Sequence, residues 1–150
     1  MNLRDEATST RPCTDFCSFC EYISGRLPWH PVIEWGSAVA FLNVRQRSRG
    51  ALLIAPRRHV QTLADLSEGE ACEIFHLIGK ITQLMMRKLS PDGLHTWCNS
   101  GVAAGQSEPH MHFQIVARYD GVPYSFESSD SLDMTPRTQL VTLAAMLREQ

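Results

Sequence analysis

The sequence has no long hydrophobic run and no excess of positive charge. No apolar stretch approaches the ~18–20 residues of a membrane-spanning helix, and the N-terminal segment lacks the apolar core of a signal peptide. We therefore expect a cytoplasmic protein with no membrane partner. Its 14 basic and 16 acidic residues give a net charge of −2. Proteins that bind nucleic acid through many backbone phosphates need a basic surface. Nucleic acid is therefore not an expected partner. A small phosphorylated ligand needs only a few donors.

Disulfide bonds are not expected either. Five cysteines are an odd number for a closed disulfide framework, and the reducing cytoplasm keeps thiols free. A chain of 150 residues buries ~68–70% of its unfolded surface when it folds, so it needs no covalent cross-link to be stable. The 43% hydrophobic and 20% charged residues are those of an ordinary globular protein.

The hydrophobic pattern predicts an α+β protein with an antiparallel sheet. Residues 1–14 are polar and show no periodicity, which predicts a mobile N-terminal tail, and residues 15–150 are expected to form a single domain. A short helical or turn element is expected at 15–25. Short apolar runs bounded by turn residues predict strands at 37–44, 50–55, 94–98 and 110–118.

Two helices are predicted. Ser67 and Glu70 fit a capping box, in which each side chain accepts a hydrogen bond from the other residue's backbone N–H, and apolar residues then recur at helical spacing for about six turns. The turn residues at 90–93 end this long helix. A C-terminal helix is predicted with Thr135 as its N-cap and Pro136 at its first position.

Three polar side chains share one face of the last predicted strand. Side chains alternate along a strand, so His110, His112 and Gln114 lie on one face and the intervening apolar residues on the other. The apolar face can pack on a core, while the polar face presents two imidazoles and a carboxamide in a row. The alternative is a solvated outer face that happens to hold two histidines, and the alternation alone allows both interpretations.

The loop before this strand, residues 99–107, is small, polar and rich in glycine. Two glycines and two alanines let its backbone approach a ligand closely, and successive backbone N–H groups in such a loop can hold an anion. An ordinary connecting loop is the alternative. A loop of this kind beside two histidines favours nucleotide phosphate chemistry, because it would supply donors for phosphate oxygens next to an imidazole nucleophile.

These residues carry a resemblance to a known superfamily, the histidine-triad (HIT) proteins. Its usual signature is G-Q-[ST]-x-x-H-φ-H-φ-H, where φ is apolar. Two further stretches match in the order typical of the family, the second of them in two parts, so that the resemblance covers about residues 16–118. The matching segments are Gly105-Gln106-Ser107 with His110, His112 and Gln114, then 17–28, 41–43 and 50–60.

The resemblance implies a fold and a reaction. HIT proteins are similar in having an antiparallel sheet of about five strands with one long helix and a C-terminal helix, and they usually form homodimers. They attack the α-phosphorus of a nucleotide conjugate, purine conjugates among them, and form a nucleotidyl-histidine intermediate. By this resemblance His112 is the nucleophile, with its second nitrogen oriented by a backbone carbonyl, for which residues 99–105 are candidates.

The resemblance also implies roles for the residues around His112. Gly105, Gln106 and Ser107 are expected to hold the phosphate oxygens, and Ser107 also to reach the leaving group. Asn43 is expected at the ribose hydroxyls, and Asn99 is expected to support the loop and the ligand. The base pocket would be walled by Phe19, Ile23, Phe41 and Leu42, for which plain core packing is the alternative.

Gln114 departs from the common signature, which has a third histidine there. A carboxamide has no titratable proton, so Gln114 can hold a phosphate as part of the catalytic set but cannot act as a general acid. The H-x-H-x-Q pattern resembles the nucleotidyltransferase and phosphorylase branch, whose chains are generally much longer. We expect an enzyme, a hydrolase of phosphoramidates, acyl-nucleotides or dinucleoside polyphosphates. The alternatives are a nucleotidyltransferase or dinucleoside polyphosphate phosphorylase using the same intermediate, and a zinc-stabilised nucleotide-binding module with little turnover.

The sequence also suggests a metal site. Cys17-x-x-Cys20 is a chelating spacing, and some bacterial HIT proteins pair it with two histidines that match His59 and His110 here. Such a Cys₂His₂ set would be a closed, structural zinc site. Cys13 is a competing ligand, and two buried free thiols are the alternative. The remaining cysteines, Cys72 and Cys98, are expected to pack in the core.

Overall fold

A computed structural model describes residues 16–123 and 132–148, so the tail expected at 1–14 lies outside the described residues. Five antiparallel strands form one sheet in the order β1-β2-β3-β5-β4. None of the helices in the described part of the chain is long and apolar enough to cross a membrane. The strands are β1 (Pro31–Trp35), β2 (Ala38–Leu42), β3 (Leu52–Pro56), β4 (Gly93–Cys98) and β5 (Phe113–Arg118).

The described residues include three α-helices, which cover the two faces of the sheet to different extents. They are α1 (Ser18–Ile23), α2 (Glu68–Leu89) and α3 (Arg137–Arg148). The main core lies between one sheet face and α2 and α3, and it is built from the aliphatic side chains of all three elements. The opposite face of β2 and β3 carries a smaller, aromatic-rich cluster under α1. β2 and β3 are therefore buried on both faces, as their continuous apolar sequences predict.

The expected α+β fold with a five-stranded antiparallel sheet is confirmed, with two differences in detail. β1 was not predicted, because it begins with Pro31 and ends in the exposed Glu34 and Trp35, a pattern suited to an edge strand. The last strand begins at Phe113 rather than at residue 110. The three residues before Phe113 are buried but bond elsewhere: Met111 donates its N–H to the carbonyl of Val60.

The long helix follows its predicted boundaries. Ser67 caps α2, and its side chain and that of Glu70 exchange the two bonds of a capping box. The helix ends at Ser90, which adopts a left-handed conformation with φ 47°. Cys72 is exposed on α2, so its predicted core position is wrong, whereas Cys98 packs beside the main core as expected. The hydroxyl of Thr135 accepts a hydrogen bond from the N–H of Gln46 ahead of α3.

Replacing Glu70 with glutamine should destabilise the protein. The Glu70 carboxylate accepts from Arg58 Nε and Nη2 at 2.9 and 2.7 Å and from the Ser67 N–H at 3.0 Å. The Arg58 guanidinium is the main reason why the pKa of Glu70 falls from 4.5 to about 2. The side chains of Glu70 and Arg58 are only 11% and 26% exposed, so we expect a loss of roughly 2–3 kcal/mol at pH 7, measured by urea unfolding.

The pH dependence separates this ion pair from a packing effect. A carboxyl pKa that is lower in the folded protein than its ordinary ~4.3 stabilises the fold above about pH 5, and that stabilisation disappears as the pH falls toward 2. The difference between wild type and Glu70→Gln should therefore shrink to near zero at pH 2. Glu68→Gln, in the same helical turn but exposed, should change stability by less than ~0.5 kcal/mol. A difference that stays constant with pH would contradict the assignment.

Candidate active site

His112 lies in the extended segment just before β5, and its ring is held in one orientation. Its Nδ1 lies 2.8 Å from the backbone carbonyl oxygen of His110. A carbonyl only accepts, so Nδ1 carries the proton and Nε2 keeps the lone pair. The acceptor expected in the 99–105 loop is thus placed elsewhere: it is a carbonyl two residues upstream of His112 itself, which a spacing argument does not reveal.

The surroundings of His112 favour the neutral imidazole. The side chain is buried, and burial is the main cause that lowers its pKa below 6.5. The Phe19 ring meets the His112 ring edge to face, with centroids 5.0 Å apart. A neutral imidazole with a fixed tautomer and a free lone pair is a competent nucleophile.

A cavity opens beside His112, between α1, the end of β2 and the loop that precedes β5. Seven of the predicted site residues line it, and six others do so without having been predicted for the site, four of them polar or aromatic. Leu42 is a wall residue whose side chain also belongs to the main core on the helix side. The predicted lining residues are Phe19, Phe41, Leu42, Asn43, Ser107, His112 and Gln114, and the unpredicted polar or aromatic ones are Ser18, Tyr22, Arg45 and Glu108.

The other predicted residues, Ile23, Asn99, Gly105 and Gln106, do not line the cavity but pack or form hydrogen bonds next to the segments that do. Ile23 packs against the aromatic-rich cluster. Asn99 Nδ2 donates to the carbonyl of Gly105, which has φ +80°. The carboxamide of Gln106 accepts from Gly101 N–H at 2.7 Å and donates to the carbonyls of Gln61 and Glu108. These side chains hold the loop in shape, and its last residues, Ser107 and Glu108, reach the cavity.

The sequence gives only weak indications that Tyr22 and Glu108 would line the cavity. Tyr22 lies three positions after Phe19, so the two share one face of α1. Glu108 occupies a position at which the family signature allows any residue. Burial first, and then the charge of Glu108, raise the pKa of Tyr22, which places an acidic group near the Tyr22 phenol. At the far side of the cavity Asn43 Oδ1 accepts from the N–H of Arg45 at 2.9 Å.

Four predicted metal ligands come together behind the cavity. The ligand atoms of Cys17, Cys20, His59 and His110 all lie within 4.8 Å of one another. Cys20 Sγ is 3.3 Å from His59 Nδ1 and 3.6 Å from His110 Nδ1, and Cys17 Sγ is 3.5 Å from His110 Nδ1. Zinc–sulfur and zinc–nitrogen bonds of ~2.3 and ~2.0–2.1 Å in a tetrahedron place such atoms ~3.3–3.8 Å apart. The donor set and its spacing therefore fit a zinc ion, while Cys13 lies outside the described residues.

Hydrogen bonds around these four residues orient their ligand atoms toward one another, as metal binding requires. His110 Nε2–H donates to the carbonyl of Pro56 at 2.9 Å, which leaves the lone pair of Nδ1 directed at the cysteines. Burial lowers the pKa of His110 to about 4, so its ring is neutral near pH 7. Cys17 is the N-cap of α1, and its sulfur accepts from the Cys20 N–H.

A second cavity lies between α3 and the segment that follows β2. It shares no lining residue with the cavity at His112, and no residue of the HIT signature lines it. Its wall is formed by Gln46, Arg49, Thr135, Thr138, Gln139, Thr142, Leu143 and Met146.

Comparison with known proteins decides the family. The family model described as the HIT domain matches residues 24–121. This chain belongs to the HIT family. The HIT protein of Bacillus subtilis is 35% identical over 107 residues, which are 71% of this chain and 74% of that protein. An adenosine 5′-monophosphoramidase of Schizosaccharomyces pombe is 28% identical over 102 residues, 68% of this chain and 74% of that protein.

A solved HIT structure also matches over most of the chain. It is a zinc-bound histidine-triad family protein from Mycobacterium smegmatis with a TM-score of 0.75 and 26% identity, covering 88% of this chain and 90% of that one. The HIT fold expected from the motifs is confirmed. This chain differs from the usual HIT signature at Gln114, which stands where the signature has a third histidine. In the sheet, Gln114 lies opposite Leu53 of β3 and Trp97 of β4.

Proposed function

We propose that this HIT protein hydrolyses nucleotide conjugates at the α-phosphorus through a nucleotidyl-His112 intermediate. The observation that carries the proposal is the fixed tautomer of His112, whose Nδ1–H is bound to the His110 carbonyl while the ring lines a cavity. This arrangement supplies a nucleophilic Nε2 without a separate base. The substrate class is that of phosphoramidates, acyl-nucleotides or dinucleoside polyphosphates, and the phosphoramidase relative favours an AMP amide.

The reaction has two steps. The Nε2 lone pair of His112 forms a bond to the α-phosphorus as the bond from phosphorus to the leaving amine or oxygen breaks, and the leaving group takes up a proton from solvent. Water then attacks the same phosphorus and gives up one proton to solvent, the bond to Nε2 breaks, and nucleoside monophosphate is released. Ser107 at the cavity wall is the hydroxyl that relays the proton, because the carboxamide of Gln114 can only hold phosphate oxygens.

The nucleotide itself is bound at the α1 side of the cavity. Phe19 and Phe41 form a T-shaped pair with centroids 5.2 Å apart, and they offer an apolar wall for a purine base. Asn43, directly after β2, lines the same cavity and is proposed to bind the ribose hydroxyls. Gly105, Gln106 and Asn99 contribute by holding the loop so that Ser107 meets the phosphate.

A transferase is the second candidate, because Gln114 occupies the third triad position. The two reactions differ only in the acceptor that resolves the intermediate. A dinucleoside tetraphosphate should be incubated with the protein with and without inorganic phosphate, and the products separated by chromatography. If nucleoside monophosphate forms without added phosphate, the protein is a hydrolase. If nucleoside diphosphate forms, and only when phosphate is present, the hydrolase proposal fails and the protein is a phosphorylase.

The third candidate is a nucleotide-binding module with little turnover. It predicts that wild-type protein binds AMP yet releases no AMP from AMP amide or the other donor classes. Measurable release under multiple-turnover conditions eliminates this candidate, while its absence with bound nucleotide overturns the enzyme proposal.

We propose that Cys17, Cys20, His59 and His110 hold a structural zinc ion. The four protein ligands would close the tetrahedron, so the ion would fix structure and not bind substrate. Its position supports the active site through His110, since that residue carries the carbonyl that orients His112. Thiolate ligands require a reducing compartment, in keeping with the proposed cytoplasmic location.

We also propose a homodimer formed along β4. This strand is the sheet edge beside β5, and such an edge offers backbone donors and acceptors to a second strand. The exposed Phe75 and Met86 lie on one face of α2 with Gly79 between them, and the Phe75 ring packs against Phe113 of β5. A second copy that adds its own β4 by two-fold symmetry would cover the edge and this helix face together.

The dimer proposal predicts a mass twice the chain's 16.9 kDa in sedimentation equilibrium. Phe75→Asp should shift the protein to monomer at micromolar concentration, because it places a charge in the contact. The control is Val141→Glu, which changes another exposed apolar residue, on α3, and should leave the mass unchanged. A monomeric wild type, or a dimer that tolerates Phe75→Asp, would contradict the proposed interface.

A further inference from the structure

Four hydrogen bonds from the side chain of Gln46 tie together the connection between β2 and β3, residues 43–51. Its Nε2 donates to the carbonyl oxygens of Asn43 at 2.6 Å and of Ala51 at 2.9 Å. Its Oε1 accepts from the N–H groups of Gly50 at 2.8 Å and of Ala51 at 2.9 Å. A carboxamide has two N–H donors and two acceptor lone pairs, so the Gln46 side chain makes every hydrogen bond that it can, all of them to the backbone of this connection.

The same bonds fix the residue that is proposed to bind the ribose. Asn43 has its carbonyl bound by Gln46, and its N–H donates to the Ala51 carbonyl at 3.0 Å. Its side chain is oriented as well, because Oδ1 accepts from the Arg45 N–H at 2.9 Å and so Nδ2 is the end that can donate to a ligand hydroxyl. Asn43 is 9% exposed and lines the cavity at His112. A shift of the 43–51 backbone would therefore move this carboxamide relative to a bound nucleotide.

The start of α3 bonds the same connection from its other side. Thr135 donates its N–H to the Val44 carbonyl at 2.8 Å, and its hydroxyl accepts from the Gln46 N–H at 3.3 Å. These bonds hold the backbone at 44 and 46, while the Gln46 carboxamide reaches across to Gly50 and Ala51. Gln46 lines the second cavity and not the one at His112, so its effect on a nucleotide passes through the backbone and Asn43.

We infer that Gln46 is a positioning residue, which sets the preference for ribose over deoxyribose by holding Asn43 against the ribose hydroxyls. The inference rests on the proposed function, which places the ribose at Asn43. A hydrogen bond needs a donor–acceptor distance of ~2.7–3.2 Å and a nearly straight angle, so a connection that can shift loses most of this bond. The base wall at Phe41 and the nucleophile His112 lie outside residues 43–51 and should keep their positions.

The test compares AMP amide with its 2′,3′-dideoxy analogue, which lacks both ribose hydroxyls. The readout is the ratio of kcat/KM for AMP amide to that for the analogue, measured on one protein preparation so that a partial loss of folded protein cancels. Wild type should favour AMP amide, and Gln46→Ala should lower the ratio about tenfold, which is what one or two hydrogen bonds contribute. Gln46→Met keeps the length of the side chain without its amide and should lower the ratio by a similar factor.

The matched control is Gln139→Ala, which removes an exposed glutamine of α3 from the wall of the same second cavity. It should keep the wild-type ratio. A double variant shows whether Gln46 acts through Asn43, because two residues that act through one contact have non-additive effects. In protein that already carries Asn43→Ala, the further change Gln46→Ala should leave the ratio unchanged.

The possible outcomes separate this inference from the proposed function. If wild type hydrolyses both amides equally well, or if Gln46→Ala or Gln46→Met keeps the wild-type ratio, the inference fails while the hydrolase stands. A further fall of the ratio in the double variant, or an equal fall in Gln139→Ala, overturns it too, since Gln46 would then act elsewhere.

If wild type hydrolyses neither amide, the proposed function fails, and the affinities for AMP and 2′,3′-dideoxy-AMP, measured by calorimetry, decide the inference. AMP should then bind more tightly by a factor that Gln46→Ala lowers about tenfold. Equal affinities in wild type, a factor that Gln46→Ala leaves unchanged, or binding of neither nucleotide would overturn it.

Discussion

Replacing His112 with alanine is expected to lower kcat for AMP release from AMP amide by at least ~10³-fold, because it removes the atom that forms the covalent intermediate. Nucleotide binding should persist, since the groups proposed for the base and ribose, such as Phe41 and Asn43, remain. The affinity for AMP, measured by calorimetry, should change by less than about tenfold. A large loss in kcat with a small change in affinity is the signature of a group that acts in the transition state.

The matched control for this variant is His76→Ala. His76 is exposed on α2 and contacts Trp35 at 4.6 Å, with no role in the cavity, so its replacement should leave kcat within about twofold. Both proteins should unfold at temperatures close to that of wild type. Full activity in His112→Ala would contradict the assignment of the nucleophile, and equal losses in both variants would point to a general loss of folded protein.

Removing the proposed zinc ion should have the second largest effect. A ligand present at 1,000 times its dissociation constant stabilises the folded state by ~4 kcal/mol, which corresponds to roughly 8–16 °C in Tm for a chain of this length. We expect one zinc ion per chain by elemental analysis and a fall in Tm of this size in Cys20→Ser or after chelation. Activity should fall as well, because His110 would lose the bond that fixes its carbonyl next to His112.

Two other cysteines provide the controls for the metal site. Cys72→Ser changes an exposed thiol on α2 and should keep both the zinc content and the Tm. Cys13→Ser should do the same if the ligand pair is Cys17 with Cys20. Zinc retained in Cys17→Ser but lost in Cys13→Ser would transfer the ligand role to Cys13, and wild-type protein without bound zinc after purification in zinc-containing buffer would refute the site.

Elements whose signals are local were predicted well from the sequence. The capping box at Ser67 and Glu70 and the apolar spacing that follows it define α2 almost to the residue. β1 was missed because its boundary depends on pairing with β2, through which Trp35 is opposite Ala38 across a turn at Gly36. An edge strand of five residues with a proline and two exposed side chains has little signal of its own.

The same distinction applies to the candidate site. The alternation of His110, His112 and Gln114 and the family motifs predicted which side chains would meet, and the four metal ligands do come together. The acceptor for His112 could not be predicted, since it depends on the backbone conformation of residues 110–112, which lie outside β5. The bracing role of Gln106 likewise follows from tertiary hydrogen bonds, which no single segment encodes.

Intact-mass spectrometry after rapid mixing with a nucleotide donor tests the central claim most directly. Wild-type protein quenched within the first turnover should gain the mass of one nucleotidyl group, and digestion should locate it on His112. The added mass also identifies the nucleotide. His112→Ala should show no adduct under the same conditions. An adduct on another residue, or turnover in wild type with no adduct at any time within the first cycle, would contradict the account.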